Sequence, residues 1–201
     1  TIGRVKKPSG GLSYDTSADR FSVSYLDQAD GSKGKSMTVK LASTTLTSEN
    51  YVGMSGGVVE ITGTAGGTGS ETVFEQATTR YGASVYDTNT NRVVIAYADN
   101  GNSSYGTAIV GTVSGTSISF GTAVVFETAE VQDVSVVFDS NSNKVVIAYK
   151  DLGNSNYGTA IVGTVSSTSI SFGTAVVFES ADSRYIKNVF DPNSNKVVIS
   201  Y

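Results

Sequence analysis

Apolar and polar residues alternate along short stretches of the chain, as at Val145, Ile147 and Tyr149. A period of two is that of a β-strand, whose side chains point to opposite faces of a sheet. No window of about 11 residues carries the i, i+3, i+4, i+7 apolar spacing of an amphipathic helix, so essentially no helix is expected. The strand-like stretches are rich in Val, Ile, Phe, Tyr and Thr, which suit a pleated, half-buried surface. They are punctuated by turn chemistry: Asp139-Ser-Asn-Ser-Asn143, Asp151-Leu-Gly-Asn154 and Ser166-Ser-Thr168.

The pattern repeats with a fixed period. Residues 93–144 and 145–196 align without a gap over 52 positions and differ at 13 of them, leaving 39 identical. Val93-Val94-Ile95-Ala96-Tyr97 returns as Val145–Tyr149 and again as Val197-Val198-Ile199-Ser200-Tyr201. An earlier, weaker copy runs from Tyr14 to Tyr25, 72 residues before its match, and so carries about 20 extra residues between Ser43 and Gly69. The best-defined copy reads as four strands: near Val134–Phe138, then Lys144–Lys150, Tyr157–Val165 and Ser169–Phe178.

Four antiparallel strands in 52 residues predict an all-β fold built as a β-propeller, with a β-solenoid as the alternative. The divisions are an N-terminal extension (1–13), a first blade with its insertion (14–85), a second (86–137), a third (138–189) and the start of a fourth (190–201). Three and a half blades do not close a ring. The expectation is therefore that the natural chain continues or that another subunit covers the open edge.

Strand order assigns the turns to two ends. The turn between second and third strands and the crossing from fourth strand to next first strand share one end. Eleven of the 13 differences between the close copies fall there. They exchange Gln132 for Arg184 and Asp133 for Tyr185, side chains suited to recognition. This predicts a ligand face that diversified after duplication; the plainer reading is free drift of exposed loops. At the same end Asp99, Asn102 and Tyr105 recur as Asp151, Asn154 and Tyr157. A tyrosine ring beside amide and carboxylate groups can stack on a sugar and take its hydroxyls. Structurally, the two tyrosines would instead start the third strand and pack against a neighbour. The candidate ligand-binding residues are thus Asp99, Asn102, Tyr105, Gln132, Asp151, Asn154, Tyr157, Arg184 and Tyr185.

Composition narrows the chemistry. Charged residues make up 16% of the chain, with Ser, Thr, Asn and 22 glycines in their place, and net charge is −4. No basic stripe appears, so nucleic acid is not an expected partner. Cys and His are both absent, which removes thiolate ligands and the usual neutral-pH proton shuttle. No apolar run approaches 18 residues, so no membrane insertion is expected. Ala29-Asp-Gly-Ser-Lys-Gly-Lys-Ser36 fits a relaxed phosphate-loop pattern, but Met37–Leu41 reads as strand rather than the helix such a loop needs. The recurring Asp87-x-Asn89-x-Asn91, Asp139-x-Asn141-x-Asn143 and Asp191-x-Asn193-x-Asn195, with Asp15-x-Ser17-x-Asp19, are followed by Arg or Lys in place of a calcium loop's further carboxylate. They read as side-chain-capped hairpin turns. No metal, cofactor or catalytic residue is predicted, since every carboxylate pair recurs from copy to copy.

The run Asn143–Tyr149, with Gly153–Val165 and Gly173–Phe178, resembles repeats of virion-associated proteins of marine bacteriophages, and Leu46–Met54 resembles segments that accompany them. Together these cover most of residues 14–201. The resemblance implies a non-enzymatic part of a phage tail or another extracellular surface assembly. Its partners would be further copies, other virion subunits or a host-surface glycan. The alternatives are a secreted glycan-binding lectin and the non-catalytic part of a polysaccharide-degrading enzyme.

Overall fold

The computed structural model describes residues 12–15, 20–27, 33–41, 65–68 and 71–201. Residues 16–19 of the Asp15–Asp19 motif, residues 29–32 of the phosphate-loop look-alike, the Leu46–Met54 segment and nearly all of the 1–13 extension lie outside these described residues. Among the described residues the protein is all-β and antiparallel. These residues form fifteen strands and no α-helix, only two single 3-10 turns.

The strands are β1 (Leu12–Asp15), β2 (Arg20–Asp27), β3 (Lys33–Leu41), β4 (Ala65–Thr68) and β5 (Thr72–Asp87). Then come β6 (Arg92–Asp99), β7 (Tyr105–Ser114), β8 (Ser117–Phe120) and β9 (Val124–Asp139). They are followed by β10 (Lys144–Asp151), β11 (Tyr157–Ser166), β12 (Ser169–Phe172), β13 (Val176–Asp182), β14 (Lys187–Asp191) and β15 (Lys196–Ser200). Residues 42–64 separate β3 from β4, where the later units need only Gly115-Thr116 or Ser167-Thr168.

Each unit has the same pairing. In the second, the end of β5 pairs β6, β6 pairs β7, and the other edge of β7 takes β8 and then the start of β9. The third repeats this with β9, β10, β11, β12 and β13. The sheets therefore do not end where a unit ends. β5 and β9 are 16-residue strands that serve as the last strand of one unit and the first of the next. This corrects the expectation of a separate first strand near Val134–Phe138. The sequence divisions at 85/86 and 137/138 cut through these shared strands. The fourth strand expected over Ser169–Phe178 is also interrupted, at Gly173-Thr174-Ala175 between β12 and β13.

A bulge lets one strand serve two sheets. Along β9, Ala148 pairs Ser135 while Lys150 pairs Gln132, so Asp133 and Val134 together face Tyr149. Asp133 takes a left-handed conformation there, φ 50°. Tyr81 and Tyr185 take the same conformation 52 residues before and after, at φ 53° and 57°. An extra residue in a left-handed conformation bends the strand and increases its twist, which redirects the chain from one sheet into the next.

The sheets stack face to face. Val94, Ala96, Ala98, Ala108 and Val110 of the second unit share a core with Val145, Ile147, Tyr149, Ile161, Val165 and Ile170 of the third. The alternate residues of β6, Val93, Ile95 and Tyr97, form a second cluster with Tyr86 and Ile109. β6 is consequently buried on both faces, whereas the expectation was a half-buried strand. Small residues make this possible: the alanines at 96, 98 and 108 let backbones approach where larger side chains would hold them apart. β15 has nearly the same sequence but alternates between exposed and half-buried positions. The neighbouring sheet, as much as the strand's own pattern, decides burial.

Ring contacts fix the stacking register. Phe74 meets Tyr97, Phe126 meets Tyr149 and Phe178 meets Tyr201, with centroids 5.3, 5.2 and 5.2 Å apart. In each pair the last strand of one unit meets the second strand of the next, and offset or edge-on rings at this distance attract. Tyr149 Oη donates to Glu127 Oε2 at 3.1 Å and Tyr201 Oη to Glu179 Oε2 at 3.2 Å. Tyr97 differs: its hydroxyl is buried without a hydrogen bond of normal geometry, although Glu75 lies beside it. Glu75 Oε1 instead accepts from the amide of Ala77 at 2.8 Å. Burial first, and the neighbouring glutamate second, push the phenols of Tyr97 and Tyr149 far above the ordinary tyrosine value. Tyr149→Phe should therefore cost about 1 kcal/mol in urea unfolding, and Tyr97→Phe should cost nothing or stabilise slightly. Equal losses from both would contradict the difference in pairing.

Candidate functional site

The two ends of the stacked sheets differ in how their turns are built. At one end lie the Asp-x-Asn-x-Asn turns. Asp139 Oδ1 accepts from the amides of Asn141 (2.9 Å) and Ser142 (3.1 Å), and Oδ2 from Ser142 Oγ at 2.7 Å. Asp87 makes the same set with Asn89 and Thr90. Asp191 repeats the Asn193 amide and Ser194 hydroxyl bonds. The closing residues Asn91, Asn143 and Asn195 sit at φ 56°, 56° and 54°, a conformation asparagine tolerates. The carboxylate oxygens are thus engaged within the turn.

The hydrogen bond from Ser142, ahead of the backbone amides, holds the Asp139 carboxyl below its ordinary value of 3.8. Asp191 is lowered in the same way, by Ser194 first. A depressed folded-state value means stabilisation that is complete above the unfolded value and lost as pH falls through the folded one. Asp139→Asn keeps a turn-capping oxygen that does not titrate. The variant should therefore lose less stability than the parent when pH is taken from 5 to below 3.8, read by thermal unfolding. A steeper loss would contradict this.

The opposite end carries the candidate residues. After β6 and after β10 the chain makes a 3-10 turn, Asn100–Asn102 and Leu152–Asn154. Asp99 and Asp151 cap these turns: Asp99 Oδ1 accepts from the Gly101 amide at 2.9 Å, and Asp151 Oδ1 from the Asn154 amide at 3.1 Å. Desolvation, with the charge of Glu75 second, raises the Asp99 carboxyl above its ordinary value. Gly101 and Gly153 press against Ala77 and Ala129 on the shared strands, with no room for a Cβ. The Val131 amide then donates to the Ser104 carbonyl, and the Ser183 amide to the Asn156 carbonyl, both at 3.1 Å. The first turn is thereby fastened to β9 near its bulge, and the second to the segment between β13 and β14.

Pairing sorts the nine candidates into two groups one repeat apart. Asp99, Asn102 and Tyr105 lie at one turn, and Tyr105 opens β7 opposite Glu130, to which Gln132 Nε2 donates at 3.3 Å. Asp151, Asn154 and Tyr157 lie at the next, where Tyr157 opens β11 opposite Asp182. Asp182 Oδ2 accepts from Arg184 Nη2 at 2.7 Å and Nε at 3.0 Å. Tyr185 follows, 81% exposed, and its amide donates to Asp133 Oδ2 at 3.0 Å. Asn102 and Asn154 are exposed, whereas Tyr105 and Tyr157 are half-buried and Asp151 is buried.

Beyond the nine candidates, Lys150, Asp182, Asp133 and Tyr81 shape this end. Lys150 is buried and ion-paired with Asp182, which also binds Arg184. These cations, Lys150 first, hold the Asp182 carboxyl below its ordinary value. In the preceding unit the three positions are Ala98, Glu130 and Gln132, so all three differ between the copies. That joint difference was the available signal: a buried ammonium replacing an alanine requires a partner. Asp133 connects the two groups through the Tyr185 amide. Tyr81, at the Tyr185 position two units earlier, is partly buried against the core.

Among the described residues there is no group of three metal-ligating side chains and no helix long and apolar enough to cross a membrane. Comparison with protein families, with characterised proteins and with solved structures finds no match to this chain.

Proposed function

We propose that the chain is a non-enzymatic structural and adhesive module of a phage tail or another extracellular surface assembly, whose stacked sheets are blades of a β-propeller. The observation that carries this reading is the division of labour between the two ends. Asx turns of one Asp-x-Asn-x-Asn pattern close one end, while 11 of the 13 substitutions between close copies collect at the other. There they lie on short capped turns and bulged strands, and include core positions such as Ala98, Val131 and Val134 as well as exposed ones. Propeller architecture is supported by the repeated four-strand order and by β5 and β9 running on from the last strand of one unit into the first of the next. The resemblance of Asn143–Tyr149 and Gly153–Val165 to virion-associated repeats supports the setting.

The ligand we favour is a host-surface glycan, because Tyr185 offers an exposed ring with Arg184 held beside it by Asp182. The test is a glycan array probed with the chain and with a Tyr185→Ala/Arg184→Ala variant. Glycan binding that falls about tenfold or more in the variant is expected. Binding unchanged by the substitutions, or no binding at high protein concentration, would overturn the ligand assignment. Detection of the chain only in a cytosolic fraction, and not in virions or secreted protein, would overturn the setting.

A further inference from the structure

Asn100–Gly101 is the one place in the 201 residues where an asparagine precedes a glycine. In such a pair the backbone nitrogen of the glycine can attack the side-chain carbonyl carbon of the asparagine, because no Cβ hinders the closing ring. The turn cannot give up this glycine. A Cβ at position 101 would lie 2.5 Å from that of Ala77, and one at Gly153 would meet Ala129 in the same way. One repeat later, however, the residue before the glycine is Leu152, which has no carbonyl to attack. Of the two turns, only the first carries the reactive side chain.

Two neighbours are placed on the reacting atoms. Asp99 Oδ1 accepts from the Gly101 amide at 2.9 Å, within reach of a general base for that proton. In the third unit Asp151 turns instead to the amide of Asn154. Ser104 Oγ donates to Asn100 Oδ1 at 3.1 Å, where negative charge gathers when the side-chain carbon is attacked. Burial, with the charge of Glu75 second, raises the Asp99 carboxyl and so makes its carboxylate the stronger base. In the 3-10 conformation the Gly101 N–H is turned to Asp99, so ring closure waits on rotation about the Asn100 Cα–C bond. None of the three turn residues is buried, and opening so short an exposed segment costs little. Gly101 and Asn102 are exposed, which admits water.

We propose that Asn100 is a self-modifying site, converted to aspartate and isoaspartate through a succinimide, with Asp99 as the base and Ser104 as the oxyanion donor. The Gly101 nitrogen bonds to Asn100 Cγ while its proton passes to Asp99. The bond from Cγ to the side-chain nitrogen then breaks, and ammonia leaves carrying that proton. Water opens the ring at either carbonyl, giving aspartate or, with the backbone rerouted through the side chain, isoaspartate. Either product adds a negative charge beside Asp99 and Glu75. Isoaspartate also lengthens the backbone by one carbon where Gly101 packs on Ala77. The proposal does not depend on the glycan assignment.

The folded 201-residue chain is aged at neutral pH and mapped by peptide mass spectrometry, with isoaspartate measured by an isoaspartyl methyltransferase. Asn100 should change from amide to acid ahead of every other asparagine, with isoaspartate among the products. Asp99→Asn keeps a capping oxygen but removes the base, and should slow the reaction about tenfold or more. Ser104→Ala should slow it as well, by about tenfold. A looser turn alone would speed it. Asn100→Leu, which copies the third unit, should keep the parental circular dichroism spectrum and abolish the change at this position. The proposal fails if Asn100 stays an amide in the folded chain or is overtaken by another asparagine. It also fails if Asp99→Asn or Ser104→Ala leaves the rate unchanged or raises it, or if aspartate forms without isoaspartate.

Discussion

Gly121→Ala should destabilise the protein by about 3 kcal/mol, while Gly173→Ala, the same residue one repeat later, should shift stability by less than about 0.5 kcal/mol. A Cβ on Gly121 would overlap the carbonyl oxygen of Thr168 in the next unit and lie 2.9 Å from its carbonyl carbon. Backbone cannot rotate away as a side chain can, so the added methyl must push the second and third units apart at the turn. That also strains the Arg92 Nε bond to the Ser167 carbonyl, 3.0 Å long, beside it. At Gly173 the nearest atom to a Cβ is 3.8 Å away. Neither glycine needs a left-handed conformation, as neither has a positive φ. Urea midpoints of the two variants, with unchanged m-values, measure the contrast. Similar losses in both would mean that the glycine serves the chain locally rather than the contact between units.

Ile147→Ala should cost about 3–4 kcal/mol, and Ile199→Ala about 1 kcal/mol. Ile147 has no exposed surface and sits where the second and third sheets meet, among Val94, Ala96, Tyr149 and Ile161. Its removal leaves a cavity walled by two sheets, each held in place by its own hydrogen-bonded pairing, so neither collapses readily into the space. Ile199 is the same residue in the same strand pattern, but only half-buried. Chemical denaturation followed by circular dichroism reports both. Equal costs would show that strand sequence, rather than the covering neighbour, sets the contribution.

Local chemistry was the part of this fold legible in the sequence. The 52-residue period, the Val-Val-Ile strands and the Asp-x-Asn-x-Asn turns depend on alternation and on bonds between residues two or three apart, and β10 and β11 lie near their expected places. What was not legible depends on neighbours in space. Nothing in Thr128–Val134 announces that one strand belongs to two sheets, because Asp133 at positive φ is made tolerable by the bulge opposite Tyr149. The recurrence of glutamate 22 residues before tyrosine, as in Glu127 and Tyr149, was visible, but the bond joins different units. The candidate end was located by counting substitutions, and its turn residues were correctly grouped with the strand crossings. Their roles were less visible. Asp99 and Asp151, chosen for their carboxylates, spend an oxygen on capping, and Lys150, at the end of β10, is buried only because Asp182 of the neighbouring strand end pairs with it.

The shared strands also determine how load would travel through the molecule. Because β5 and β9 each belong to two sheets, tension along the chain cannot detach one unit without stripping an edge from the next. A row of modules joined by slack linkers would give way one at a time, each releasing about 180 Å of extended chain per 52 residues. Here the joint is itself hydrogen-bonded on both sides of the bulge, so the second and third units resist pulling as one body.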